Sequence, residues 1–182
     1  PKGVLSHVTV FELPMYHKLL VVSDVAVIPY PDLSQKTAIV RYLTATAKVL
    51  GVECPKIAAI APSEQLLASV QSSVEAAVLA KMADRGQLGD VVLDGPLALD
   101  VALFEEVART KHLSSPVAGD ADCLLMPNLD AANVFFKSAN HLCNASLAAM
   151  VAGTKAPCVL TSRGDSAESK LYSIALAALS AK

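Results

Sequence analysis

Strand-length apolar runs alternate with capped helical segments along almost the whole of this 182-residue chain. That alternation predicts a parallel or mostly parallel sheet covered by helices on both faces. Residues 4–13 and 19–28 are rich in β-formers, and Pro29, Tyr30 and Pro31 break the chain after them. Asp32, with Gln35 three positions on, reads as a capping box opening a helix that Gly51 ends. Residues 56–61 read as a short buried strand. Ser72 with Glu75 opens the next helix, which stops at Gly86. Further strands are expected at 91–93, 123–126, 148–152 and 158–160, and helices at 99–110, from the cap Asn128 to about His141, and from Ser166 to about Leu179. Asp165 and Glu168 have the spacing of another capping box.

Hydrophobic residues make up 53% of the chain and charged ones 18%, so much of it is buried or faces a partner. The most apolar stretch, 19–28, is interrupted by Ser23 and Asp24 and is far shorter than the roughly 20 residues of a membrane span. A membrane partner is therefore not expected. A net charge of −2 without a basic run, and 4% aromatic residues without Trp, give nucleic acid neither an electrostatic footprint nor a stacking platform. Cys54, Cys123, Cys143 and Cys158 are scattered in apolar surroundings, with neither metal-ligand spacing nor the density of a disulfide framework. They read as reduced thiols in a cytoplasmic protein with no metal site. P-loop, GxGxxG and Ser-His-Asp patterns are all absent from the sequence.

Ligands of open α/β sheets gather at the carboxyl ends of the strands, and polar residues follow the expected strands here. Asp94-Gly95-Pro96 follows one, Asn128 another, and Thr161-Ser162-Arg163-Gly164-Asp165-Ser166 the last before the closing helix. The last run suits an anion: the Arg163 fork, the Ser162 hydroxyl and free helix amides converge there. A Ser in that place alone would be an N-cap. Asn133 and Lys137, four apart, share a helical face, and Ser115 to Gly119 is a small-residue turn suited to backbone contact with a ligand. Asp24, within an apolar stretch, needs a partner or a cleft. His7 is either a proton carrier or a hydrogen-bonded core residue.

LDGPLALDVA at 93–102, SPVAGDADCLLMPNLDAANVFFKSAN at 115–140 and APCVLTSRGDSAESKLYSIALA at 156–177 resemble, in this order, the phosphate acetyl and butyryl transferases, most closely the butyryl branch. The resemblance covers essentially all of the chain and starts partway into the family's sequence, about a third of the family pattern lying before it. It implies a three-layer α/β/α architecture of the isocitrate/isopropylmalate dehydrogenase-like two-domain kind, with residues 1–16 and 152–182 in an incomplete first domain and 17–151 in the second. It also implies reversible transfer of a short acyl group, butyryl or similar, between coenzyme A and phosphate. Coenzyme A is then a substrate, no other cofactor is needed, and the enzyme is a homodimer using a ternary complex. Ser162, Arg163 and Asp165 become the catalytic candidates, and Asp94, Gly95, Ser115, Gly119, Asn128, Asn133 and Lys137 the substrate-binding ones. An ungapped match puts Ser169 where acetyl-type members carry a catalytic aspartate, which leaves Asp165 or Glu168 as base, Asp165 the preferred one. The alternative is a non-catalytic coenzyme-binding or dimerising fragment of such an enzyme; an oxidoreductase of related fold is a weaker one.

Overall fold

Successive side chains of a strand point to opposite faces of its sheet, and along these strands both sets are largely apolar. Val8, Val10, Val21, Ile57, Ala59, Cys123 and Leu125 fall on one side and Phe11, Leu20, Val22, Ala58, Ile60 and Leu124 on the other. A sheet apolar on both faces must be covered on both. The computed structural model describes residues 3–181. Six strands, β1 (Ser6–Glu12), β2 (Leu20–Ser23), β3 (Lys56–Ile60), β4 (Val92–Leu97), β5 (Cys123–Leu125) and β6 (Ser146–Ala152), make one sheet in the order β4-β3-β5-β2-β1-β6. Helices α1 (Leu33–Val49), α2 (Gln71–Asp84) and α6 (Ala167–Leu179) contribute Ile39, Leu43, Leu79 and Leu176 to one face. Helices α3 (Leu99–Leu103), α4 (Glu105–Thr110) and α5 (Leu129–His141) contribute Val101, Ala108 and Phe136 to the other. The three-layer α/β/α expectation is met.

The sheet is mixed. β2, β3, β4 and β5 pair in parallel, whereas β1 is antiparallel to both β2 and β6. β6 therefore runs with the parallel set, and β1 alone runs against it. β1, which falls in segment 1–16, lies between β2 and β6, which carry residues of 17–151. Its reversal brings Ser6 and His7 to the edge where the other strands end, opposite Ala152 and Val151.

Several boundaries differ from the sequence reading, each for a local reason. The second strand stops at Ser23 because Asp24 turns inward and accepts N–H bonds from Ala26, Val27 and Ile28 at 2.8, 2.9 and 3.1 Å. The segment 99–110 is two helices, broken where Phe104 takes an extended backbone. β4 continues through Asp94, Gly95 and Pro96, so that Asp94 lies within a strand, level with Ala58, instead of following one. Helix α2 begins at Gln71 without a side-chain cap; Glu75 reaches across to Lys36 instead of closing a capping box with Ser72. Residues 158–160 contribute only a bridge between Cys158 and Val151. The capping box of Asp32 with Gln35 and the Asn128 cap are both present. Three of the cysteines, Cys54, Cys143 and Cys158, are exposed instead of lying in apolar surroundings, and Cys123 is buried.

Phe11 is fully buried on one face, with its ring 5.7 Å from both Phe135 and Phe136 in edge-on contact. Phe11→Ala is expected to destabilise the fold by about 3 to 5 kcal/mol, the cost of a buried aromatic cavity, read as a lower urea midpoint.

Candidate active site at the carboxyl edge

The end of β6, the start of β1 and the loop after β2 meet at the carboxyl edge. The segment after β6 returns there before entering α6. Together with α5 they enclose a cavity of about 300 Å³ lined by His7, Val25, Ala26, Asn133, Phe136, Lys137, Leu160, Thr161, Ser162 and Asp165. Four of the sequence candidates, Asn133, Lys137, Ser162 and Asp165, are thus brought to one place.

Each is held by local chemistry. Asn128 accepts the Ala131 N–H at 3.0 Å and starts α5 in the orientation that turns Asn133 and Lys137 to the cavity. Asn133 Nδ2 donates to the Val25 carbonyl at 3.3 Å, tying α5 to the loop shaped by Asp24. Lys137 lies 4.9 Å from the Phe136 ring, within cation–π range, and is exposed. Asp165 is buried at 7% exposure and accepts the Ser162 N–H at 2.7 Å. This bond corrects the expected Asp165–Glu168 capping box. The cap of α6 is Ser166, whose hydroxyl accepts the Ser169 N–H at 3.1 Å, so Asp165 stays with the cavity and Glu168 hydrogen-bonds Tyr172. Ser169 is directed into the helix cap, away from the cavity lining. Arg163 is exposed at the tip of the turn, and no ion pair to it occurs among the described residues.

The remaining candidates lie elsewhere. Asn128 also lines a second carboxyl-edge cavity of about 340 Å³ with Tyr30, Ser72 and the buried Lys36–Glu75 ion pair. Asp94 accepts the N–H of Gly95. Gly95 packs so closely that a Cβ there would stand 2.8 Å from the Ala59 carbonyl oxygen. Ser115 and Gly119 line a larger groove, about 920 Å³, with His17, Lys56 and Asp120. That groove is at the opposite, amino edge, because Lys56 begins β3 and Asp120 precedes β5. Gly119 is required there by packing: its φ is +76° and a Cβ would come 2.5 Å from the Glu105 Cα.

Size favours the amino-edge groove, and chemistry favours the smaller cavity. At the amino edge the charges neutralise one another: Lys18 donates to Asp122 at 2.8 Å and lies 2.7 Å from Asp120, which also holds Lys56 at 2.7 Å and His17 at 3.1 Å. Burial raises the Asp120 pKa, but hydrogen bonds from Lys18, Lys56 and His17 outweigh it and hold the carboxyl well below its usual range. At the carboxyl edge Lys137 and Arg163 have no carboxylate partner among the described residues. Cys123 is fully buried, and that burial pushes its thiol well up, away from the reactive thiolate. Sequence reasoning missed the cavity wall made by Val25 and Ala26; its signal was Ser23-Asp24 interrupting an apolar run.

The fold is that of an open-sheet α/β protein with a candidate site at the carboxyl edge, where Lys137, the Ser162 hydroxyl and the Asp165 carboxylate line one cavity and Arg163 stands on the adjoining turn. The chain belongs to the phosphate acetyl/butaryl transferase family, whose model matches residues 2–178. It is 44% identical over 176 residues to a phosphate butyryltransferase of Clostridium beijerinckii, covering 97% of this chain and 58% of that protein. To the phosphate butyryltransferase of Clostridium acetobutylicum it is 46% identical over 175 residues, 96% of this chain and 58% of the relative. To a phosphate acetyltransferase of Thermotoga maritima it is 41% identical over 175 residues, with 96% and 60% covered. The crystal structure of a branched-chain phosphotransacylase from Enterococcus faecalis superposes with a TM-score of 0.90 at 36% identity, over all of this chain and 64% of that one. The chain thus spans less than two thirds of the length of these relatives.

A carboxylate whose pKa is lower in the folded than in the unfolded state adds stability above its unfolded value, and that stability is lost as pH falls. The urea midpoint of the wild-type chain should exceed that of Asp120→Asn near neutral pH. The gap should close as pH falls below the ordinary carboxyl value of 3.8; a gap independent of pH would contradict the assignment.

Proposed function

We propose that the carboxyl-edge cavity is the acyl-transfer site of a phosphate acyltransferase, converting a short-chain acyl-CoA, butyryl-CoA or a similar one, and phosphate reversibly into acyl phosphate and coenzyme A. The observation that carries this reading is the convergence of Ser162, Asp165, Lys137 and Asn133 on one cavity in a chain of this family. A phosphate oxygen attacks the thioester carbonyl, the C–O bond forms, the C–S bond breaks, and the coenzyme thiolate leaves and takes a proton. Lys137 and Arg163 meet phosphate oxygens as cations. The Ser162 hydroxyl donates to a phosphate or carbonyl oxygen as negative charge develops there. Asp165, one oxygen held by the Ser162 N–H, offers the other to the thiol proton, which it delivers in one direction and removes in the other. Asn133 fixes the wall of the cavity. The chemistry requires no redox group and no cofactor besides the coenzyme substrate.

The same reading takes two copies of the chain as the working unit. Exposed Leu171 and Ile174 on α6, at 62% and 59% exposure, supply an apolar surface for association. A cytoplasmic location is supported by the absence of disulfides among the four cysteines. A second reading is a coenzyme-binding or dimerising piece without turnover, which the 58% coverage of the relatives fits only weakly.

Release of free thiol from butyryl-CoA, dependent on added phosphate, separates the two. Turnover by the purified chain supports the enzyme, and coenzyme binding without thiol release supports the second reading. Arg163→Ala and Ser162→Ala are each expected to lower kcat/KM by at least about tenfold, 1.4 kcal/mol of transition-state stabilisation, with an unchanged urea midpoint because both side chains lie in the turn before α6. Retention of more than about a tenth of wild-type activity by Arg163→Ala would place the anion contact elsewhere.

A further inference from the structure

Between the end of β6 and the start of α6 the chain runs through residues 153–166 without strand or helix, and this segment carries Ser162, Arg163 and Asp165. Its internal bonds shape it: Thr154 Oγ1 donates to the Ala156 carbonyl at 2.6 Å, and the Ser162 N–H donates to Asp165. Past Thr154, among the described residues, it is joined to the sheet by hydrogen bonds at two places. The Val151 N–H donates to the Cys158 carbonyl at 2.8 Å, and His7 Nε2 is 2.9 Å from the Leu160 carbonyl oxygen. The His7 bond is the nearer to Ser162, two residues before it.

His7 is 5% exposed and lines the same cavity as Ser162 and Asp165. A carbonyl oxygen only accepts, so Nε2 carries the proton of this bond. In the neutral ring Nδ1 is then the acceptor, and the Thr9 hydroxyl, 3.3 Å away, donates to it. Both ring nitrogens are engaged by the protein itself, which removes the ring from proton exchange with a ligand and leaves it a mechanical task. The antiparallel course of β1 puts that ring at the carboxyl edge in the first place.

We propose that His7 is a positioning residue of the site: through Nε2–H to the Leu160 carbonyl, oriented by Thr9, it fixes the turn that presents Ser162 and Asp165 to α5. This rests on the proposed acyl transfer for its kinetic consequence and on geometry alone for its structural one. A displacement of a reacting group by about 1 Å costs on the order of a hundredfold in rate, so a tether two residues away is enough to matter.

The test compares His7→Leu, His7→Gln and Thr9→Val with the wild-type chain by butyryl-CoA turnover, urea midpoint and hydrogen exchange of the Ser162 amide. His7→Leu should lower kcat by about tenfold or more and speed Ser162 exchange, with a smaller relative change in KM for phosphate. His7→Gln, whose amide Nε2–H reaches the same carbonyl, should restore most of both. Thr9→Val, at a residue outside the cavity lining, should show part of the loss, with a modestly lower midpoint because the buried His7 Nδ1 loses its partner. Ser162 exchange and kcat unaltered in His7→Leu and Thr9→Val overturn the proposal, as does a midpoint falling in step with kcat in both without rescue by Gln. If the wild-type chain itself does not turn over, the acyl-transfer reading fails separately. The exchange arm then decides alone: faster exchange in His7→Leu restored by Gln supports the tether, and equal exchange overturns it.

Discussion

A sheet buried on both faces leaves almost no room for chemistry along its strands. Every unpaired polar group placed there would be desolvated at a cost of a few kcal/mol, and the buried polar side chains accordingly bond one another or the backbone. Ser6 Oγ meets Ser23 Oγ at 2.8 Å, Ser23 Oγ donates to the His7 carbonyl, and Ser173 Oγ accepts the Ala149 N–H. Charge is displaced to the two edges, and the edges resolve it differently. At the amino edge His17, Lys18, Lys56, Asp120 and Asp122 cancel one another and brace the starts of β2, β3 and β5. At the carboxyl edge Lys137 and Arg163 are left facing solvent beside a serine and a half-satisfied carboxylate. One edge holds the fold together, and the other leaves its cations without carboxylate partners among the described residues.

The reversed strand links these roles. Pairing β1 between β2 and β6 joins the edge strand to the rest of the sheet and buries Val8, Val10 and Phe11, and the same register carries Ser6 and His7 to the carboxyl edge. Core packing and the placement of the 153–166 segment therefore depend on one seven-residue element. Asp24 acts similarly on the facing wall, where three N–H bonds to its carboxylate shape the loop that Asn133 grips.

What was legible in the sequence was local. The Asp32–Gln35 box and the Asn128 cap involve partners within a turn of helix, and both formed as the spacing indicated. The cap of α6 was misplaced by one residue because Asp165 and Ser166 are both good cap formers, and only the fold shows that Asp165 is taken by the Ser162 N–H. Asp94 looked like a strand end because Gly and Pro follow it, yet β4 continues along β3 as an edge strand, where a proline is tolerated. Strand direction leaves no mark on an alternating apolar pattern, so the reversal of β1 could not be read in advance, whereas Ser115 and Gly119 precede the expected strand at 123–126 and in a parallel sheet belong at its amino edge. Motif order placed four of the site candidates in one cavity, but it could not separate them from residues that share the motif and serve packing, as Gly119 does against Glu105.

The central claim is that ligand binds at the carboxyl edge and not in the larger amino-edge groove. Backbone amide resonances followed by NMR during titration with inorganic phosphate address it directly. The account predicts saturable shifts concentrated at residues 160–166 and 133–137, with 113–120 and 105–109 unmoved. Shifts confined to 105–120, with Ser162 and Lys137 silent, would contradict it.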